Sequence, residues 1–369
     1  MAILSHDVIL DVLCRVGVKD LLRFRCVSKP WCSTIDGPDF IKRHLSHSLK
    51  TNTNLSLILR SSHTFSVDFD SLEASQRLKH PLEESDQWSC TQIFGSCNGL
   101  LALHNSDREE LSLWNPSTTR TQMLPFTDME FPPWSLGFQF IVYGFGYDPI
   151  SDDYKLVRIV QFHGKDQDSN DYEVRVYSLR TDFWRRIKDF PFHLEYEYQS
   201  GVPANNALHW LASKKPDSDT HIFVAALDLE TEEYRVIELP DSFAMGFYLS
   251  MTAMAGCLCL IADYHGYSDI WLMKEYGMKE SWTKLVSVQQ LKSGLPVLPV
   301  ALSKTGDKLL LNIGSKFAWY DLISKMAENI RIGDVPHCSS AELLVQSLVP
   351  LNDNGEVRDR DMSGIIWYD

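Results

Sequence analysis

Leu111-Ser112-Leu113-Trp114-Asn115-Pro116, with Leu124-Pro125 shortly after, reads as a strand that halts at a turn-forming Asn-Pro and resumes before a second break. The pattern recurs. Val176-Tyr177-Ser178-Leu179-Arg180-Thr181 leads to Phe190-Pro191, and Ala226-Leu227-Asp228-Leu229-Glu230-Thr231 leads to Leu239-Pro240. Weaker copies stand at Ile270-Trp271-Leu272-Met273, with Trp282 beyond, and at Trp319-Tyr320-Asp321-Leu322, while Phe65-Ser66-Val67-Asp68-Phe69-Asp70 is a degenerate first copy. With Asp70, Asn115, Ser178, Asp228, Met273 and Asp321 as anchors, the intervals are 45, 63, 50, 45 and 48 residues.

Each anchored strand follows another: Gly99 to Leu103, Lys155 to Val160, Ala207 to Leu211, Gly256 to Ile261 and Lys308 to Ile313. Every unit therefore holds at least three strands. Antiparallel units of roughly 40 to 50 residues cannot bury their faces singly, and stacking them radially as propeller blades also protects edge strands from aggregation. Six countable units predict six blades, with room for a seventh. The final run Ala341 to Leu351 is expected to return and complete the first blade, closing the ring. A β-sandwich or open β stack is the competing architecture.

Before residue 50 the apolar period changes from 2 to 3.6. Ser5 caps a helix carrying Val8, Ile9, Val12 and Leu13 on one face, and Gly17 ends it. A second segment begins near Lys19, its run from Leu21 to Val27 apolar on two faces; Ser28 with Pro30 restarts a third, carrying Trp31 and Ile35. Asp36-Gly37-Pro38 breaks the chain before a short amphipathic segment, Phe40 to Leu45. The chain thus reads as an α+β multidomain protein: a helical head over residues 1–46, an all-β propeller-like body over 50–352, and a tail over 353–369. A head of about 45 residues buries too little apolar surface to stand alone. Either the body covers it or a second protein does, and apolarity on two faces with interleaved Arg23 and Arg25 favours the partner.

Net charge is −14, but residues 1–50 hold eight Lys/Arg against five Asp, a local +3 that leaves −17 for the rest. An acidic body without a basic aromatic stripe is a poor nucleic-acid binder. The eight Cys include no CxxC pair and no His at zinc-finger spacing, so no metal site is expected. No apolar run of about 18 residues suggests a membrane span, and no signal-peptide pattern opens the chain. Free thiols in a reducing compartment, cytoplasm or nucleus, are the expectation.

Chemistry-bearing motifs are few. Tyr143-Gly144-Phe145-Gly146-Tyr147-Asp148 has two glycines but lacks the third glycine and the helix of a dinucleotide site, and is read as a turn. Gly95-Ser96-Cys97-Asn98-Gly99 is followed by no helix, and Cys97 is read as a buried structural thiol. Cys257 and Cys259 share a strand face, which suggests packing. His209, between Leu208 and Trp210, is read as a satisfied core histidine. The acidic clusters Glu83 to Asp86, Asp107 to Glu110 and Asp166 to Asp171 are read as solvated loops. No catalytic residue and no cofactor is expected.

The head resembles an F-box of the plant type through Leu4-Ser5-His6-Asp7-Val8-Ile9-Leu10-Asp11-Val12-Leu13, Asp20-Leu21-Leu22-Arg23-Phe24-Arg25-Cys26-Val27-Ser28-Lys29-Pro30-Trp31 and Asp39-Phe40-Ile41. Leu4-Ser5 and Val16-Gly17-Val18 stand where that family usually has prolines. The body resembles the F-box-associated, kelch-like domain through Gly95 to Leu101, Leu113-Trp114-Asn115-Pro116-Ser117-Thr118, Tyr143 to Asp148, Asp153-Tyr154-Lys155-Leu156-Val157 and Ala207-Leu208-His209-Trp210-Leu211. The resemblance implies a substrate-recognition subunit of a Skp-cullin-F-box ubiquitin ligase, bridging a Skp-type adaptor, and through it a cullin, to a client protein. It implies that Leu4, Val8, Ile9, Leu13, Leu21, Leu22, Val27 and Trp31 face the adaptor or support that face.

Propellers bind through inter-strand loops. The insertions Thr127 to Gly137, His163 to Tyr172 and Tyr264 to Asp269 are therefore the client-binding candidates, with Phe131, Trp134, His163, Tyr264, His265 and Tyr267 as contacts. The other readings are a ubiquitin-independent peptide- or carbohydrate-binding propeller, and a propeller hydrolase or lyase.

Overall fold

The computed structural model describes residues 5–83, 91–133, 135, 137–163, 171–196, 199–214, 222–241, 248–289, 296–333, 335 and 340–352. The helical head forms where the caps predict. Ser5 Oγ accepts the Val8 N–H at 3.4 Å to start α1 (His6–Cys14), α2 (Val18–Phe24) follows Gly17, and Ser28 Oγ accepts the Trp31 N–H at 3.3 Å to start α3 (Lys29–Ile35). The fourth element departs from expectation. The short segment Phe40 to Leu45 is a 14-residue helix, α4 (Pro38–Thr51), which runs through residue 46 and ends at Asn52 with a left-handed φ of 50°. Ile41 and Leu45 bury against the body, and that tertiary support carries the helix beyond its local signal.

The strands are β1 (Leu55–Arg60), β2 (Thr64–Asp68), β3 (Ser75–Leu78), β4 (Thr91–Cys97), β5 (Leu100–Asn105), β6 (Glu110–Asn115), β7 (Arg120–Met123), β8 (Gly137–Asp148), β9 (Asp153–His163), β10 (Asp171–Ser178), β11 (Phe183–Arg186) and β12 (His193–Leu194). They continue as β13 (Val202–Ala204), β14 (Ala207–Ser213), β15 (Phe223–Asp228), β16 (Tyr234–Ile237), β17 (Tyr248–Met254), β18 (Cys257–Tyr264), β19 (Tyr267–Met273), β20 (Trp282–Gln289), β21 (Val297–Leu302), β22 (Lys308–Ile313), β23 (Lys316–Asp321), β24 (Ala327–Ile330) and β25 (Ser340–Val345).

They pair as six antiparallel sheets: β25-β1-β2-β3, β4 to β7, β8 to β11, β14 to β16 with β12 and β13 sharing one edge, β17 to β20, and β21 to β24. This is a six-bladed propeller. β25 pairs with β1, Leu55 opposite Val345 and Arg60 opposite Ser340, so the returning C-terminal strand closes the ring as the sequence predicts. The repeats read from sequence are the second and third strands of each blade, which are apolar on both faces because neighbouring blades cover them. The innermost strands carry weaker signals. The 63-residue interval reflects the third blade, whose β8 and β9 are 12 and 11 residues long.

Four of the six blades share one turn device. Side-chain oxygens of Asp68, Asn115, Asp228 and Asp321 accept backbone N–H groups two and three residues on, closing the turn between third and fourth strands. In the first blade this residue is Asp68 rather than Asp70. Four residues after each anchor stands a left-handed residue: Leu72, Thr119, Asp182, Glu232, Gly277 and Lys325, all with φ between 52° and 79°. Five of the six are not glycine, so the turn bonds hold them there against their own preference.

Tyr143 to Asp148 is not a turn, contrary to the sequence reading, but the second half of β8. Its glycines serve close approach: a Cβ on Gly144 would lie 2.9 Å from Trp210 Cζ2, and one on Gly146 2.8 Å from Leu229 Cδ1. There the third blade bridges Gly201 of the fourth, whose N–H donates to Tyr143 O at 2.7 Å. His209 is fully buried, with Nδ1 2.9 Å from Val202 O and Nε2 2.7 Å from the Tyr276 hydroxyl. Burial, and then the Arg235 charge, push its pKa down to about 4 despite the bond to Val202.

Candidate functional site

Antiparallel alternation gives the propeller two faces. Turns from first to second and from third to fourth strand lie on one; turns from second to third strand and the links between blades lie on the other. The helical head sits on the first face. Lys42 Nζ reaches Asp152 Oδ2, in the β8–β9 turn, at 2.6 Å, and Ile41 and Leu45 pack with Tyr154, Leu179, Val349 and Leu351.

The segment after β25 binds the two parts together. Leu348 enters the core of the head with Leu13, Cys14, Val18, Leu21, Ile35 and Phe40. The Asn115 amide donates to Ser347 O at 3.1 Å and to Val349 O at 2.9 Å. Buried His44 joins α4 to the α1–α2 connection, its Nε2 2.9 Å from Val16 O.

The body thus covers one side of the head, and the other side stays apolar and open. Val8, Val12 and Val27 are 45, 55 and 62% exposed, while Ile9, Leu10 and Trp31 are half-buried and Leu22, also half-buried, lines the cleft against the propeller with Thr118 and Leu348. Of the residues assigned to the adaptor face, Leu13 and Leu21 are wholly buried and take the supporting role; Leu4 lies outside the described residues. The Phe24 ring meets Trp31 edge-on at 5.7 Å and holds it in place. The basic residues are largely engaged internally: Arg15 with Asp11, Arg23 with Asp20 and Arg25 with Asp36, all at 2.8–3.0 Å. Ser5 and Gly17 both adopt a φ of −63°, the value a proline would impose.

The described client-binding candidates fall on the opposite face. Phe131, in the link from β7 to β8, is exposed and meets Phe162 edge-on at 5.5 Å. His163 ends β9; its side chain, like Trp134 and residues 164–170, lies outside the described residues. Tyr264 to Asp269 is no insertion. Tyr264 pairs directly with Tyr267 across a tight His265-Gly266 turn, their rings stacked at 4.7 Å. Turn residues there supply a hairpin, which needs only two loop positions.

Between the faces runs a channel of about 1140 Å³, lined by the innermost strands and by Ile261, Asp263 and Asn312 of second strands, and met at the head's end by Leu49 and Asn52. Cys97 lines it, its thiol pushed up to about 12 by burial. So do Asp263, Asn312 and Glu342. The carboxyl of Glu342 is pushed up to about 7 by burial, and that of Asp263 is raised by burial against the opposing hydrogen bond from Ser268. Sequence reasoning missed these lumen acids, although an acid inside the apolar run 341–345 was the available signal. It also missed Leu348 and the exposure of Val12.

Comparison with known proteins agrees with this architecture. The F-box domain family matches residues 1–43, and the family described as F-box associated beta propeller domain matches residues 54–346. F-box protein CPR1 of Arabidopsis thaliana is 38% identical over 372 aligned residues, spanning 95% of this chain and 89% of that protein. F-box protein At4g22390 of the same plant is 32% identical over 369, spanning 95% and 90%. Among solved structures, an oligogalacturonate lyase in complex with manganese superposes with a TM-score of 0.40 at 12% identity, over 74% of this chain and 71% of its own, too distant to inform function. An open apolar helical face, a six-bladed ring closed by its last strand, and both family matches together make the chain a member of the plant F-box proteins with a C-terminal F-box-associated β-propeller domain.

Proposed function

We propose that the chain is a substrate receptor of a Skp-cullin-F-box ubiquitin ligase, acting in the cytoplasm or nucleus. F-box proteins with a propeller domain typically have this role, and their F-box implies a Skp-type adaptor as partner. The observation that carries the reading is the exposure of Val8, Val12 and Val27 on a head that the propeller covers elsewhere. Exposed valines on a head that also carries half-buried Ile9 and Trp31 leave apolar surface that a second protein would shelter. In this reading the adaptor takes the head and the client takes the propeller face opposite it. Holding the client there raises the effective concentration of its lysines near a ubiquitin-charged conjugating enzyme, and the covalent step belongs to other subunits.

Co-elution with a purified Skp-type adaptor tests this. Val12→Asp and Val27→Asp, both surface changes that leave the helical core intact, are each expected to weaken the complex at least tenfold, about 1.4 kcal/mol. Absence of a complex with the unaltered protein overturns the proposal.

A further inference from the structure

The channel's chemistry is one-sided. Asp263 stands seventh of the eight residues of β18, Asn312 fifth of the six in β22, and Glu342 third of the six in β25. Given the strand directions, Asp263 and Asn312 line the half of the channel that opens away from the helical head, and Glu342 stands near its middle, where it also lines the adjoining head-side cavity. All three present acceptors. Among the described residues the Asp263 carboxylate receives only the Ser268 hydroxyl, and Glu342 has no hydrogen-bond or ion-pair partner. Asn312 is 3% exposed, and its side-chain oxygen is left without a donor.

Among the described residues lining the channel there is no Lys, Arg or His to answer them. Lys304, in an adjoining cavity that also touches Glu342, is engaged by Asp70 at 2.6 Å. The buried Asn312 oxygen without a donor is a costly arrangement that a donor-rich cation would relieve, and the half-buried Asp263 and Glu342 carboxyls lining the same channel add negative charge for it.

We propose that this outer half of the channel is a subsite for a cationic group, an ammonium or guanidinium borne by a side chain of the client protein. The proposal rests on the receptor reading above and supplies the chemistry of its client. A cation entering the lumen finds acceptors on three blades, whereas an acidic side chain would add a like charge to two carboxyls already there. A bound cation would oppose the upward shift that burial gives both carboxyls, because an opposite charge favours their ionised form. The acidic surface of the body, in a chain of net charge −14, would add steering toward a basic client.

The test uses the full chain bound to its adaptor and a fluorescent pentalysine peptide, compared with the same peptide acetylated on every lysine. Tighter binding of the unmodified peptide, weakened at least fivefold by Glu342→Gln and by Asp263→Asn, is expected. Glu328→Gln removes the same charge from an exposed position on β24 and is expected to leave affinity within twofold. Equal binding of the two peptides, or equal weakening by the Glu328 and Glu342 changes, overturns the inference, because attraction would then be a property of net charge alone. Adaptor capture is recorded in the same samples: a peptide failure with capture intact sinks only the subsite, and lost capture in the unaltered protein sinks the receptor reading.

Discussion

Exchanging Asn115 for Asp isolates what the fold asks of one turn. Three other blades place Asp at this anchor, and there the carboxylate accepts two backbone N–H groups as well as an amide oxygen would. Asn115 does more. Its amide donates to the carbonyls of Ser347 and Val349 at 3.1 and 2.9 Å, in a site with no exposure to solvent. Asn115→Asp keeps the turn, removes both donors and sets a carboxylate against two carbonyl oxygens. Each buried carbonyl left unsatisfied costs about 1 to 3 kcal/mol, so the expected loss is about 4 kcal/mol. The mirror change Asp228→Asn keeps its turn and loses only a largely solvated ion pair to Arg235, a cost below about 1 kcal/mol. Urea denaturation of both variants gives the comparison, and hydrogen exchange over residues 343–349 locates the loss. Equal destabilisation by the two exchanges, or protection of 343–349 unchanged in Asn115→Asp, would refute the role given to the amide.

Two further outcomes follow from named groups. His209 is charged below an ordinary pKa near 6.5 when unfolded, and only below about 4 when folded, so its contribution is complete above 6.5 and is lost as pH falls toward 4. About 3 kcal/mol is expected to disappear across that window, and a pH slope left intact by His209→Gln would contradict this. Gly17→Pro fits a φ of −63°, with the added Cβ no nearer than 3.6 Å to Asn54 Oδ1, and is expected to stabilise the head by about 0.4 to 1 kcal/mol. A lower melting temperature in that variant would show that the turn needs its glycine.

The sequence by itself determined the elements whose signals are local. Ser5, Ser28 and Pro30 mark helix starts through their own hydrogen-bonding and backbone geometry, and the anchors Asn115, Asp228 and Asp321 mark turns because a short side-chain oxygen bonds the next amides. Paired apolar strands before and at each anchor showed that both faces of every sheet are covered, which led to blades and to the count of six. Only the tertiary structure decided which face each residue serves. Leu13, Leu21 and Val27 look alike as apolar residues, but the first two are core and the third is open, because Leu348, distant in sequence, fills the head from below. The glycines of 143–148 resembled a turn until Trp210 and Leu229 of the next blade showed why no side chain fits. The lumen of Asp263, Asn312 and Glu342 is assembled from three blades, and no local pattern encodes the radial closure that brings them to one channel.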